Sequence, residues 1–517
     1  MQFIILILII ISSVAILASY IRLPYTVALL IVGLVIGYLR ILPTMELGSD
    51  LIFNVLMPVI VFEGAIRMSG GQFMKRLKTI LFIAFGGTTF EFILFAIITW
   101  LVLGINWQIA LLLGIAVCST DPASILAFFR TLGIERRFSI LMEGESILDD
   151  GVAIVAFQVV TGLIIGGTFS IFGLIFEFIR FTIGGAILGL ICGYIFSILI
   201  RKIDNHVIEL IATTVLVYGT TLVAHYLGQS GVIAVLTAGL VLVSYGFRDA
   251  VSRTSRETLI SFWEYAAFIV TSIIFLFIGL HISNLEISKI IIPGLIAFAF
   301  TVIARFGMIH SLTPLTALWH DPITLKQRHI QVWGGLRGVV ALALMLSLTP
   351  DFPMRSQLLG ITFIVVFCSL VFQGLTIVPL VNFLGLSKIP EHKEEYNQIV
   401  GQIISSQEAL KELERSWKSG HIMRRNYVLL RKDYGKKISG LEKKLDILQS
   451  EHSDLKGEEL LSVRRQLIQK ERETLGDALR QGKISQKNFD YLNAQLLKQF
   501  EELKICESDE EKNSSKT

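Results

Sequence analysis

The stretch Glu143-Gly-Glu145-Ser146-Ile-Leu-Asp149-Asp150-Gly151 packs four carboxylates into eight residues of an otherwise apolar run. On a helix, Glu145 and Asp149 stand four residues apart and share one face. Ser146 and Asp150 share the adjacent face. Four ionised carboxylates that close repel strongly at low dielectric, so some must carry a proton, bind a cation or pair with an arginine. Oxygens that hold either a proton or a hard cation, and not both, are what coupled proton–cation exchange requires. The bland alternative is an acid cluster with only a structural role.

Other charged residues interrupt apolar runs, where an ionisable group is costly and therefore points to function. Asp121 lies in Ser119-Thr120-Asp121-Pro122. Pro122 withholds a backbone donor and disturbs a helix, freeing carbonyls such as that of Thr120 as ligands. Carboxylate, hydroxyl and carbonyl together form an oxygen set suited to a hard cation. Glu63, in Val-Phe-Glu-Gly-Ala, can add another oxygen. Arg305 has no charged neighbour in sequence and needs an anionic partner, for which Glu145 is the candidate. Arg337 stands among Gly334, Gly335 and Gly338, where it can neutralise helix-end carbonyls. Glu91, Glu177, Glu209 and Glu264 occur singly and are expected near interfaces or in local pairs.

The elements that must position these groups are membrane helices. The chain has 517 residues and only 17% charged residues, with mean hydropathy +0.67; a soluble protein so composed would expose an untenable apolar surface. About thirteen apolar runs are long enough to span hydrocarbon: 1–20, 23–40, 50–67, 78–103, 108–130, 137–164, 171–202, 206–227, 229–246, 259–282, 288–319, 328–349 and 355–386. The first lacks the charged start and cleavage site of a signal peptide and is expected to be retained. With a cytoplasmic C-terminus, inside loops carry 15 Lys and Arg and outside loops 3. That bias predicts the N-terminus outside and the C-terminus inside. Six spans, a linker span and six more suggest inverted repeats, which pair the run holding Thr120-Asp121-Pro122 with the run holding Gly334-Gly335-Leu336-Arg337. Both carry helix breakers at equivalent places, a pointer to a transporter's ion site. The expected fold is thus all-α, with broken crossing helices.

The segment before residue 388 holds 21 of the 46 Lys and Arg, and the last 130 residues hold 25. This divides the chain into a membrane domain, 1–388, and a helical cytoplasmic tail, 389–517, expected to be regulatory or to assist assembly. The tail shows coiled-coil-like spacing at Ile438, Leu441, Leu445 and Leu448, and its extreme C-terminus reads as disordered. It carries a weak internal echo, Gly420-His421-Ile422 with Tyr427 against Gly482-Lys483-Ile484 with Phe489. The net charge of +4 gives no sign of nucleic-acid binding. Cys118, Cys192, Cys368 and Cys506 lack metal or disulfide spacing. No P-loop and no nucleophile–base pair stands out, so the chain is not expected to be an enzyme or to need a cofactor.

Ser-Thr-Asp-Pro-Ala-Ser-Ile-Leu-Ala, Glu-Gly-Glu-Ser-Ile-Leu-Asp-Asp-Gly and Gly-Gly-Leu-Arg-Gly-Val-Val-Ala-Leu-Ala-Leu, in this order and in these spans, resemble the NhaP/NHE-type sodium–proton antiporters. The resemblance covers nearly the whole membrane domain. It implies thirteen spans, a homodimer, a moving six-helix core and alternating access. It implies that Asp121 and Asp150 are the central ion-binding acids, with Thr120 offering its carbonyl, Ser146 its hydroxyl, and Glu63 at the site. It implies a structural ion pair between Glu145 and Arg305. Exchangers of this type usually carry Asn-Asp where this chain has Asp149-Asp150, a pair resembling the electrogenic relatives of the NhaA kind. If Asp149 titrates, two protons per cation become possible; the rest of the motif set points to electroneutral exchange.

The expected function is exchange of sodium, and of lithium by the same chemistry, for protons, in pH and sodium homeostasis. The lipid bilayer, sodium, protons, a second copy of the chain and a regulatory ligand or protein at the tail are the expected partners. A prokaryotic cytoplasmic membrane is the expected location. The alternatives are a potassium–proton antiporter of the same fold and a non-transporting sensor or scaffold signalling through the tail.

Overall fold

In the computed structural model, every regular element among the described residues is helical. The structure describes residues 2–21, 24–40, 48–68, 70–121, 129, 132–166, 170–200, 206–246, 253–283, 286–319, 322–386, 391–420 and 422–451, with scattered positions from 464 to 496. The membrane part comprises α1 (Gln2–Ile21), α2 (Tyr25–Tyr38), α3 (Ser49–Arg67), α4 (Gly70–Leu103), α5 (Trp107–Cys118) and α6 (Arg136–Ile165). It continues with α7 (Ile171–Ile200), α8 (His206–Tyr226), α9 (Gly231–Tyr245), α10 (Arg253–Ile282) and α11 (Ile287–Leu312). Then follow α12 (Leu325–Trp333), α13 (Val339–Leu346) and α14 (Arg355–Phe383).

Eight of these helices are long and apolar enough to cross a membrane: α3, α4, α6, α7, α8, α10, α11 and α14. Helices α1, α2, α5 and α9 are shorter apolar helices. A helix satisfies its own backbone, which is why this composition folds into helices in hydrocarbon. Local signals set several ends. Asn106 starts α5 by accepting from the Gln108 amide at 2.9 Å. Thr324 and Gln327 close a reciprocal capping box at α12. Gly104, with φ 65°, ends α4.

Two helices start well before the sequence expectation: α10 at Arg253, not near 259, and α4 by a wider margin. Helix α4 begins at Gly70, not near 78. Its first turns are amphipathic, burying Phe73 and Ile80 while Lys75 and Lys78 face outward. The chain therefore turns helical before it turns uniformly apolar.

Two runs are interrupted. Helix α5 stops at Cys118, and Ser119 is extended, with φ −60° and ψ 134°. Pro122 and the residues to 128 lie outside the described residues. Helices α12 and α13 are parted by the non-helical residues 334–338. The two breaks meet. Thr120 and Arg337 form an isolated antiparallel bridge, and the Asp121 amide donates to the Leu336 carbonyl at 2.7 Å. Each break thus satisfies backbone groups that the other frees.

Close backbone contact builds the wall facing this crossing. On α2 and α10, a Cβ at Gly33 would lie 2.5 Å from the Leu276 carbonyl, and one at Gly279 would lie 2.6 Å from that of Leu30. Small residues are how membrane helices approach so closely.

Contacts divide the chain into two units, 1–388 and 389–517. The second unit contains α15 (Glu391–Lys418) and α16 (Arg424–Glu451). These form a helical hairpin that buries Ile399 and Ile403 against Leu441 and Leu448. Trp417 stacks on Tyr427 across its turn, with ring centroids 4.5 Å apart. The echo noted in the sequence has a matching register: the Tyr427 amide donates to Met423 and the Phe489 amide to Ser485, each four residues back. His421 and Gly482 of that echo lie outside the described residues.

Candidate functional site

A cavity of about 420 Å³ opens between α2, α3, α6, α10 and the start of α13. Asp121, from the α5 break, and Asp150 and Ser146, from the middle of α6, line it together with Glu63 of α3. Glu143 and Glu264 line it as well, so five carboxylates share it with a single cation among its lining residues, Arg67. A low-dielectric cleft lined by one sign of charge focuses the field and concentrates counter-ions.

The α5 break and α6 hold one another through side chains. Ser119 Oγ donates to Asp150 Oδ1 at 2.5 Å. Ser146 Oγ donates to the Thr120 carbonyl. The Thr120 carbonyl, the Ser146 hydroxyl and the two aspartates are therefore presented from two adjacent strips of chain. Gly338 makes room for this: a Cβ there would sit 2.4 Å from the Asp121 Cβ. Glu63 is not free within the cavity. Arg67 Nη1 donates to its Oε1 at 2.9 Å, and Arg67 Nε lies 3.6 Å from Glu264 on α10. Glu264, expected near an interface or in a local pair, is thus a cavity residue that reaches Arg67 across two helices.

Asp149 takes the other side of α6. It does not line the cavity. Thr88 donates to its Oδ1, and Thr120 Oγ1 donates to its Oδ2 at 3.2 Å. Arg305 Nη1 stands 3.8 Å from Oδ2. The same guanidinium places Nη2 2.6 Å from Glu145 Oε1 and Nη1 3.1 Å from Glu91 Oε2. Gln331 of α12 donates to Glu145 Oε2 at 2.6 Å. Arg337 donates to Glu91 Oε1 at 2.6 Å and to the Cys118 carbonyl at 2.6 Å, where it caps the C-terminal end of α5.

Three carboxylates and two guanidiniums thus form one network, each side chain at most 3% exposed. At that burial, solvent does not screen the pairs, and removing one partner strands another. Sequence reasoning placed Glu91 near an interface or in a local pair. It lies instead at the centre, fully buried between Arg305 and Arg337, 214 and 246 residues away in sequence. The signal was arithmetic: two mid-span arginines call for more acids than Glu145 alone. Gly334 ends α12, and Gly335 packs under Arg305, where a Cβ would lie 3.0 Å from Nε.

Residues 5–383 match a family model described as "Sodium/hydrogen exchanger, transmembrane". The Na(+)/H(+) antiporter NhaG of Bacillus atrophaeus is 30% identical over 488 residues, covering 92% of each chain. The Na(+)/H(+) antiporter NhaH of Halobacillus dabanensis is 32% identical over 398 residues, covering 74% of this chain and 97% of its own. Among solved structures, the sodium proton antiporter MjNhaP1 of Methanocaldococcus jannaschii superposes with a TM-score of 0.63 at 23% identity, covering 74% of this chain and 98% of its own. That likeness shows a shared fold.

Proposed function

Because the chain belongs to the transmembrane sodium/hydrogen exchanger family, we propose that it exchanges sodium for protons across a membrane by alternating access. It is a transporter and not an enzyme, and sodium and protons are its substrates. The observation that carries the reading is the meeting of the two broken helices, which brings Asp121, Ser146 and Asp150 to one cavity wall.

The site works by competition. Sodium binds the deprotonated Asp121 and Asp150 with the Thr120 carbonyl and the Ser146 hydroxyl. One proton taken up by the pair cancels the charge that holds the ion, so one proton replaces one sodium. Glu63 becomes a further ligand when Arg67 turns toward Glu264. An unloaded site carries uncompensated charge and is costly to move through the apolar layer, which couples the two fluxes.

The charge balance follows from the division of α6. Asp150 faces the cavity, while Asp149 faces the arginine network. This supports electroneutral exchange, with Asp149 structural and with Glu145 and Arg305 holding the core helices together. The loop-charge bias and the bacterial relatives support a prokaryotic cytoplasmic membrane, N-terminus outside and C-terminus inside. Thirteen spans with inverted repeats, a homodimer and a regulatory tail complete the proposal.

In proteoliposomes carrying a pH gradient, sodium and lithium should collapse the gradient at the same rate with and without a clamped membrane potential. Collapse by potassium but not sodium would overturn the sodium assignment. In the same assay Asp149→Asn should keep exchange within about threefold of the parent and leave it insensitive to potential. Lost or newly potential-dependent exchange would place a transported proton on Asp149.

A further inference from the structure

A second cavity, of about 300 Å³, lies beside the other end of α6. Its polar lining is Asn54 of α3, Gln158 of α6, Thr221 and His225 of α8, and Gln229 just before α9. Helices α3 and α6 run past both cavities. On α6, Asp150 lines the first and Gln158, eight residues on, lines the second. At the rise of an α-helix these are separated by about 12 Å, and both belong to one stripe: Glu143, Ile147, Asp150, Ile154 and Gln158. On α3, Ile60 lines the first cavity and Asn54 the second.

The residues between are packed shut. Met57 on α3 and Ile154 on α6 are fully buried. Helix α6 rests directly on α9 there: a Cβ at Gly151 would lie 2.9 Å from Ile233 Cδ1 and 3.2 Å from Leu236 Cδ2. Asn54 and Gln158, by contrast, are amides on apolar membrane helices, and among the described residues neither side chain has a hydrogen-bond partner. An amide in that position is tolerable when it meets water. Asn54 also sits in a π-helical turn, Ile52–Leu56, of the kind often found at functional sites. The second cavity therefore offers room and polar groups for water, lies at the opposite end of the same two helices, and is closed from the carboxylates by a thin apolar layer.

Resting on the exchange function proposed above, we propose that this cavity is the opposite-side vestibule of the transport path, where a hydrated monovalent cation is held by the amide oxygens of Asn54 and Gln158. The two ends then differ in kind. The first vestibule carries five carboxylates and gathers cations. The second has no carboxylate among its lining residues, so it holds a cation weakly and releases it readily. The Gly151 contact with Ile233 and Leu236 is the layer that must part when the site turns to face it.

The test uses full-length Gln158→Cys and Glu143→Cys proteins in vesicles of one orientation. A membrane-impermeant, positively charged thiol reagent is applied from one side at a time, with the parent protein and its native cysteines as control. Sodium–proton exchange is measured before and after on the same vesicles. Gln158→Cys should react only from the side opposite to Glu143→Cys, and its modification should cut exchange about tenfold or more. Gln229→Cys should react from the Gln158 side too and replaces Gln158→Cys in the readout should that substitution itself stop exchange. Absence of reaction at both positions, reaction from the Glu143 side, or reaction with exchange unchanged would overturn the vestibule. Exchange in the untreated parent tests the transporter reading separately, so the two can fail independently.

Discussion

Asp150→Asn should reduce sodium-driven proton flux in proteoliposomes to that of protein-free vesicles, a loss of at least about 100-fold. The amide is nearly isosteric, and its oxygen can still accept the hydrogen bond that Ser119 donates at 2.5 Å, so the crossing beneath it keeps its partners. What disappears is the exchangeable proton and the negative charge that competes for it. Coupling fails at the chemical step, while sodium encounter with the other cavity carboxylates continues. The thermal melting temperature in detergent should stay within about 3 °C of the parent, since no buried pair is broken. Sodium-coupled proton flux above a few per cent of the parent, in a protein that melts normally, would remove Asp150 from the centre of the site.

Arg305→Ala should have the largest effect on stability. It withdraws the guanidinium that meets Glu145 at 2.6 Å and Glu91 at 3.1 Å, leaving a surplus of buried acid that water does not reach. Breaking a buried pair by removing one partner costs about 3–5 kcal/mol. In a domain of this size the melting temperature should fall by about 5 °C. The double variant Arg305→Gln with Glu145→Gln removes one charge of each sign. It leaves Arg337 on Glu91 and keeps hydrogen-bonding groups in the gap, so it should recover most of the loss. Melting of Arg305→Ala within 2 °C or so of the parent would mean that the network is not what holds these helices together.

Much of this site could be read from the chain because its strongest signals are local. Asp121 next to Pro122, the acids at four-residue spacing on α6 and the glycines around Arg337 each announce themselves within ten residues. Helical periodicity alone separates Asp150 from Asp149, and the structure turns them to opposite sides. The parts that escaped reading depend on distant partners. Glu91 is a single acid in an apolar run, and its role exists only once α11 and the α12 break come to rest beside it. Glu264 takes its meaning from Arg67 on another helix. Asn54 and Gln158 were invisible for a different reason. A search for buried charge passes over uncharged amides, although each costs free energy in hydrocarbon unless it finds a partner or water. The start of α4 was displaced because hydropathy marks where a helix turns uniformly oily, while the backbone coils as soon as one face has something to pack on.

A break in a helix is ordinarily where a bundle bends. Here the bridge between Thr120 and Arg337, the 2.7 Å bond from Asp121 to Leu336 and the arginine seated on the Cys118 carbonyl stitch the two breaks to each other. The crossing is therefore a stiff joint, tied through Asp149, Asp150, Ser146 and Glu91 to α6 and α4, in a bundle whose other contacts are largely apolar. Any movement that turns the carboxylates from one face to the other must carry the joint along as cargo, with its internal geometry intact. The oxygens would then meet the ion in the same arrangement on both sides, and selectivity would be a property of the joint, while the direction of flow would be left to the apolar surfaces around it.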